Sequence, residues 1–269
     1  MIPPIDALIL GVVEGLTEFL PVSSTGHLIL TAYLLGLEGG SVKTFSVVIQ
    51  AGALGAVLVL YRRRVGVIWR GLLGRDPAGR RLALNLALSF APAGVVGLLL
   101  HDVIKAHLFG TSPVVLALAV GGLIMIGMDR WFKANGRADR TLESITPREA
   151  WAIGCAQCLA LWPGTSRAMV TLVAGMLLGL PATVAAEYSF LLAVPTLGLA
   201  TLFDLAVGGK QLLAEVGMVS LIAGCVSAAV VAGLTVQGFV RYLTRRGLEP
   251  FGWYRLALAA VMSLLGLSR

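Results

Sequence analysis

Long uncharged runs constrain this chain more than any other feature. Five stretches, 45–61, 82–100, 109–128, 188–203 and 216–240, contain no Asp, Glu, Lys or Arg. Each is near the length of about 17–25 residues that a helix needs to cross a bilayer. A sixth, 251–267, carries only Arg255 near its start, where a long side chain is expected to snorkel to the interface. Two further stretches, 5–37 and 150–180, are apolar but cut in the middle by Pro with Ser, Thr and Gly, at 21–26 and 163–166. Lipid tolerates irregular backbone only where protein or a polar cavity surrounds it. Each of these two therefore reads as a re-entrant hairpin of half-length helices. The expected fold is an all-α polytopic membrane protein, one integral domain over 1–269, with six transmembrane helices and two hairpins.

Composition supports that class. The 269 residues are 57% hydrophobic and 13% charged, against about 25% charged in a soluble domain. The opening MIPPIDALIL has no basic n-region and no small-residue cleavage site, so a removable signal peptide is not expected. The net charge of +7 reports topology and contact with anionic headgroups, not a nucleic-acid partner. Cys155 and Cys158 form a C-x-x-C. With no second Cys or His pair beside it, the motif reads as small residues at a helix contact rather than a redox or metal site.

Arginines set the orientation. Arg62, Arg63, Arg64, Arg70, Arg75, Arg80 and Arg81 lie in a loop between the first two spans. Arg130, Lys133, Arg137, Arg140 and Arg148 follow the third, and Arg241, Arg245 and Arg246 follow the fifth. The intervening loops carry only Lys105 and Lys210, and His101, Asp102 and His107 read as solvated outer-loop residues. The bias in basic residues places the three rich segments in the cytoplasm. Both termini and the first hairpin then fall outside, and the second hairpin enters from the cytoplasm.

The hairpins resemble one another. GVVEGLTEFLPVSSTGH from Gly11 matches GCAQCLALWPGTSR from Gly154: Gly11 with Gly154, Glu14 with Gln157, Leu16 with Leu159. After a one-residue gap, Pro21-Val-Ser-Ser matches Pro163-Gly-Thr-Ser, and at the first spacing Phe45-Ser46 matches Tyr188-Ser189. Each half, 1–135 and 148–269, is one hairpin plus three spans. An odd number of crossings inverts the second half, so the hairpins are expected to meet near the midplane, as in transporters with broken helices.

Glu14 and Glu18, at i and i+4, share one helix face. Paired carboxylates at bilayer depth favour a shared proton or a divalent cation. Capping or an interfacial position is the plainer reading, but both lie inside the apolar run. Ser23, Ser24 and Thr25 form an N-cap cluster for a helix over 26–35. His27 follows three residues after Ser24, and a hydroxyl beside an imidazole is a minimal nucleophile–base pair. Arg167 precedes an uncharged run; its fork suits phosphate oxygens, and backbone N–H groups at that helix start would add to it. A structural pair with Glu14, Glu18 or Glu187 is the alternative.

On these residues the chain resembles the undecaprenyl-diphosphatase, or bacitracin-resistance, family of bacterial inner-membrane phosphatases. The resemblance covers essentially the whole chain and is most specific at Glu14 to His27 and at Pro163 to Arg167. It implies hydrolysis of undecaprenyl diphosphate to the monophosphate that carries cell-wall sugars. It further implies dependence on a divalent cation, Mg2+ or Ca2+, a site open to the outside, and room for a homodimer. By that resemblance Glu14 and Glu18 are metal ligands or acid–base groups, Ser24 is a nucleophile, and His27 is its partner or the nucleophile itself. Arg167 grips the diphosphate, with Ser23, Thr25, Ser166 and Thr171 alongside. The serine usual after that arginine is Ala168 here. Serine, histidine and activated water all remain open as nucleophile. A lipid-phosphate flippase or secondary transporter on the same scaffold is the competing function.

Overall fold

The computed structural model describes residues 2–37, 39–100, 103–104, 108, 110–135 and 139–266. His101, Asp102, Lys105, His107 and Arg137 lie outside the described residues. Among the described residues every regular element is helical. In chain order these are α1 (Pro4–Thr17), α2 (Ser24–Leu34), α3 (Gly40–Leu60), α4 (Arg62–Leu72), α5 (Pro77–Leu99), α6 (Thr111–Asn135), α7 (Pro147–Gln157), α8 (Arg167–Leu177), α9 (Ala182–Val216), α10 (Met218–Leu243) and α11 (Glu249–Leu264). The chain is a polytopic membrane protein. Among the described residues four helices, α5, α6, α9 and α10, are long and apolar enough to cross a bilayer, or five if the bent pair α3–α4 is counted as one span, where six were expected; α11, at 16 residues, is not among them.

Local chemistry explains the starts. Pro147 opens α7 behind a reciprocal cap in which Thr146 and Glu149 each accept from the other's backbone N–H. Arg140 grips both Glu149 oxygens at 2.8 and 3.0 Å. Those hydrogen bonds, ahead of the ones from Thr146, hold the Glu149 carboxyl down at about 2. Asp76 caps α5 by accepting from Gly79 N–H at 3.0 Å.

Each break is flanked by a pair of short helices, α1–α2 and α7–α8, with a short 3-10 turn at Cys158–Leu161 in the second. Ser23 and Ser166 sit in the left-handed region at φ 71° and 73°, a strained conformation for a residue with a Cβ. Each caps its helix, accepting from Gly26 N–H and Met169 N–H. Ser24 to Leu34 and Arg167 to Leu177 correspond end to end at the spacing of Gly11 and Gly154, 143 positions. The gap expected from hydroxyl matching is therefore unnecessary. Cap geometry aligns Ser23 with Ser166, and Ser24 with Arg167.

Two expectations are corrected. The arginine-rich stretch after Tyr61 is not simply a loop, because its first part is helix α4, turned 85° from α3. Its exposed Arg62 and Arg63 with exposed Trp69 and Leu72 suit a helix lying in an interface. Its counterpart in the second half is not broken, since α9 runs 35 residues as one helix. Second, Arg255 does not snorkel. It is fully buried, in a last helix of 16 residues.

Close helix contacts run through small residues. A Cβ at Gly15 would stand 2.6 Å from Ala228 O, locking α1 onto α10, and one at Gly154 would stand 2.6 Å from Ser89 O, locking α7 onto α5. Without a hydrophobic drive between helices in lipid, such backbone approach supplies much of the association. Large hydrophobics such as Leu98, Leu123, Leu202 and Leu234 face outward. Phe19, Phe190, Phe239 and Phe251 pack in a chain inside, edge to face at both ends and tilted in the middle, with centroids 5.4–6.4 Å apart. The basic segments are tied at one end of the bundle. Arg64 pairs with Glu143 and Glu187, and Arg130 and Lys133 pair with Glu249.

Candidate active site

The site forms where the two hairpin breaks touch. Glu14 lies in the last turn of α1, fully buried. Glu18 follows one turn later, its N–H donating to Glu14 O at 2.9 Å, so the two carboxylates stay on one face. Glu18 Oε2 accepts from Ser24 Oγ at 2.5 Å, across the break to the first residue of α2. Glu18 Oε1 accepts from Arg167 Nη2 at 3.2 Å, across to the first residue of α8. The two side chains in that pair are only 8% and 7% exposed. One carboxylate thus joins the candidate nucleophile of one half to the cation of the other.

Arg167 is held on three sides. Nη1 donates to Ser189 O at 2.9 Å on α9, and the guanidinium carbon stands 6.0 Å from the Phe19 ring centroid. Thr171 Oγ1 donates to Arg167 O at 2.9 Å and lies 2.6 Å from Ser189 Oγ. Three buried polar atoms are left without a hydrogen-bond partner here: Arg167 Nε and both oxygens of Glu14. Buried polar groups are nearly always satisfied. A donor and two acceptors left over in one buried cluster suit a ligand carrying both charge types.

His27 is adjacent but differently employed. Its Nδ1 lies 2.7 Å from Ser23 O and its Nε2 lies 2.8 Å from Tyr254 OH, the two rings stacked at 5.5 Å. A carbonyl only accepts, so Nδ1 carries a proton, and in the neutral ring Nε2 accepts from the tyrosine. The expected Ser24–His27 hydrogen bond is not formed in the structure, where Ser24 donates to Glu18 Oε2. Glu14, Glu18, Ser24 and Arg167 are brought together, with Thr171 behind the arginine. The Ser23 and Ser166 hydroxyls serve as caps, and Thr25 is half-buried outside this network. Ala168, at the position of the family serine, is packed in the core. The choice among glutamates is also decided, since Arg167 pairs with Glu18 while Glu187 pairs with Arg64 at the basic end.

Three residues that touch this network or the two breaks escape the sequence reading. Ser189 was visible only as the repeat partner of Ser46. Tyr254 carried no signal. Arg255 did carry one, a lone charge in an apolar run, and was read as interfacial. Among the described residues no group of three or more His, Cys, Asp or Glu could hold a metal. A cation here would have Glu14 and Glu18 as its protein carboxylates. Cys155, Cys158 and Cys225 are free thiols.

Known proteins resemble this chain over most of its length. The sequence model of a family described as "Bacitracin resistance protein BacA" matches residues 7–261. A protein of Sorangium cellulosum named undecaprenyl-diphosphatase is 55% identical over 96% of this chain and 84% of its own length. Proteins of the same name from Maridesulfovibrio salexigens and Nitrosomonas europaea are 46% and 40% identical, over 95% and 98% of this chain and 96% and 95% of theirs.

Proposed function

The chain belongs to the bacitracin-resistance (BacA) family, and from that premise we propose that it hydrolyses undecaprenyl diphosphate to undecaprenyl phosphate and inorganic phosphate. The observation that carries this reading is the Arg167–Glu18–Ser24 chain of hydrogen bonds across the two hairpins. The shared name of the relatives, a diphosphatase, favours hydrolysis over a flippase.

Phosphoryl transfer needs positioning and charge neutralisation more than unusual groups. The terminal phosphate enters beside Arg167, whose unpartnered Nε and adjacent Nη2 offer a fork to two oxygens. The N-termini of α2 and α8 both open at this point, under Ser24 and Arg167, and add partial positive charge. As the phosphate takes the guanidinium, Glu18 is freed to accept the Ser24 proton. Ser24 Oγ then bonds to the terminal phosphorus while the anhydride P–O bond breaks, and undecaprenyl phosphate leaves with the electron pair. Water cleaves the phosphoserine and releases inorganic phosphate. The 2.5 Å Ser24–Glu18 hydrogen bond supports serine over His27, whose Nε2 is engaged by Tyr254.

A divalent cation fits the same place. The orphaned oxygens of Glu14 and the neighbouring Glu18 offer the hard oxygen ligands that Mg2+ or Ca2+ prefers. Few protein ligands suit Mg2+ in particular, which keeps waters and takes substrate phosphate oxygens. When bound, the cation would neutralise diphosphate charge.

The two halves read as inverted repeats in the inner membrane, with the site toward the periplasm, both termini outside and the prenyl tail among lipids. Clustering of the basic segments at one end of the bundle supports a cytoplasmic end. The test is phosphate release from undecaprenyl diphosphate by purified protein in detergent, where no second compartment exists. Hydrolysis lost in Glu18→Gln and Arg167→Ala is expected. No release by the wild type, or release that survives both substitutions, would overturn the reading.

A further inference from the structure

Arg255 has no place in the chemistry above, yet it is the largest fully buried side chain among the described residues. A guanidinium carries five N–H groups, and here each one is donated to a backbone carbonyl. Nε reaches Leu118 O at 3.2 Å and Nη2 reaches Ala117 O at 2.9 Å, both on α6. Nη2 also reaches Gly164 O at 2.9 Å, and Nη1 reaches Thr165 O at 3.1 Å and Pro21 O at 3.3 Å. No carboxylate is among these partners. Burying a charge with no counter-ion is costly, so its retention calls for a reason. Five carbonyl dipoles converging on one cation are that reason, since a hydrocarbon side chain would leave those of the two breaks unsatisfied.

The partners come from the segments that carry the site. Pro21 precedes the Ser23 cap and Ser24 in the first hairpin; Gly164 and Thr165 lead directly into Ser166 and Arg167 in the second. The same peptide units are held at their other ends by tight turns, Val22 N–H to Leu20 O at 2.8 Å and Thr165 N–H to Trp162 O at 3.1 Å. With carbonyl and amide both fixed, a planar peptide has little freedom left. Gly121 on α6 makes the room, because a Cβ there would overlap Arg255 Nη2.

We propose that Arg255 is a positioning residue that pins both hairpin turns to α6 and so sets the spacing between Ser24 and Arg167. No single hairpin can do this, because the two catalytic groups sit on separate halves and meet only through Glu18. The catalytic consequence rests on the diphosphatase reading; the pin itself does not. Lysine at this position keeps the charge but has three donors for five carbonyls, so it tests geometry rather than electrostatics.

Two readouts decide. In amide hydrogen exchange, Arg255→Lys is expected to speed exchange by about tenfold at 22–26 and 164–169 while leaving α10 unchanged. In phosphate release from undecaprenyl diphosphate, it is expected to lose activity by about 10²-fold, the effect of a misplacement of order 1 Å. Arg255→Ala is expected to regain activity with added methylguanidinium and not with methylammonium. Should the Arg255 variants fail to fold, Gly121→Ala presses on the guanidinium without removing it and is expected to speed exchange at both turns. Unchanged exchange at both turns in a folded variant overturns the pin. Near-wild-type turnover by Arg255→Lys, with an active wild type, overturns its role in positioning. A wild type without activity sinks the diphosphatase reading instead, and exchange still decides the pin.

Discussion

Replacing Arg167 by lysine keeps one positive charge and removes the fork. In the structure Nη1 and Nη2 act in different directions, toward Ser189 O at 2.9 Å and Glu18 Oε1 at 3.2 Å, and Nε is left for substrate. An ammonium on a flexible stem is a single point and cannot serve all three. A hydrogen bond to a charged group contributes about 1.5–3 kcal/mol, and about 1.4 kcal/mol is a factor of ten in rate. Losing one such bond to the transferring phosphoryl group therefore lowers kcat/KM by about 10- to 150-fold, and losing two by about 10² to 10⁴. The assay is phosphate release in detergent with saturating divalent cation, on protein shown to be monodisperse and to melt near the wild-type temperature. A lysine variant within threefold of wild type would refute the reasoning, because a point charge would then suffice.

Further outcomes follow from single contacts. Chelation of divalent cations is expected to abolish activity and their return to restore it, with Glu14→Gln needing about tenfold more cation for half-maximal rate; indifference to chelators would move Glu14 and Glu18 to acid–base roles. Ser189→Ala removes the 2.6 Å hydrogen bond to Thr171 and is expected to lower stability by about 1 kcal/mol, read as a drop in melting temperature. Glu149, held at about 2 by Arg140, titrates below its unfolded value near 4.3. Its contribution is therefore complete above about pH 5 and lost as pH falls toward 2. The stability gap between wild type and Glu149→Gln should be open at pH 7 and close over that window; a gap independent of pH would contradict the Arg140 clamp.

What was legible depended on the kind of signal. Uncharged runs gave the helices α3, α5, α6, α9 and α10, because length and polarity alone decide what can sit in lipid. The breaks at Pro21 and Pro163 gave the hairpins for the same reason. Glu14, Glu18, Ser24 and Arg167 stood out because polar groups at that depth need a use. Helix α4 was hidden because arginines at an interface and in a loop look alike until the 85° turn is seen. The repeat register was misread by one residue because matching hydroxyls is weaker than matching backbone, and only the φ of Ser23 and Ser166 fixed it. A spacing of three residues places Ser24 and His27 near each other without saying which way the ring turns, and in the structure it turns to Tyr254. Arg255 was misjudged because snorkelling is the usual fate of a lone arginine, and its five carbonyl partners come from three distant segments.

The most direct test of a site shared between the two halves is a double-mutant cycle on Glu18 and Arg167. Melting temperature in detergent is measured for Glu18→Gln, Arg167→Ala and the pair. If one carboxylate–guanidinium contact joins the hairpins, the double variant is destabilised by less than the sum of the two single variants. If the two losses simply add, the residues act apart and the shared site is wrong.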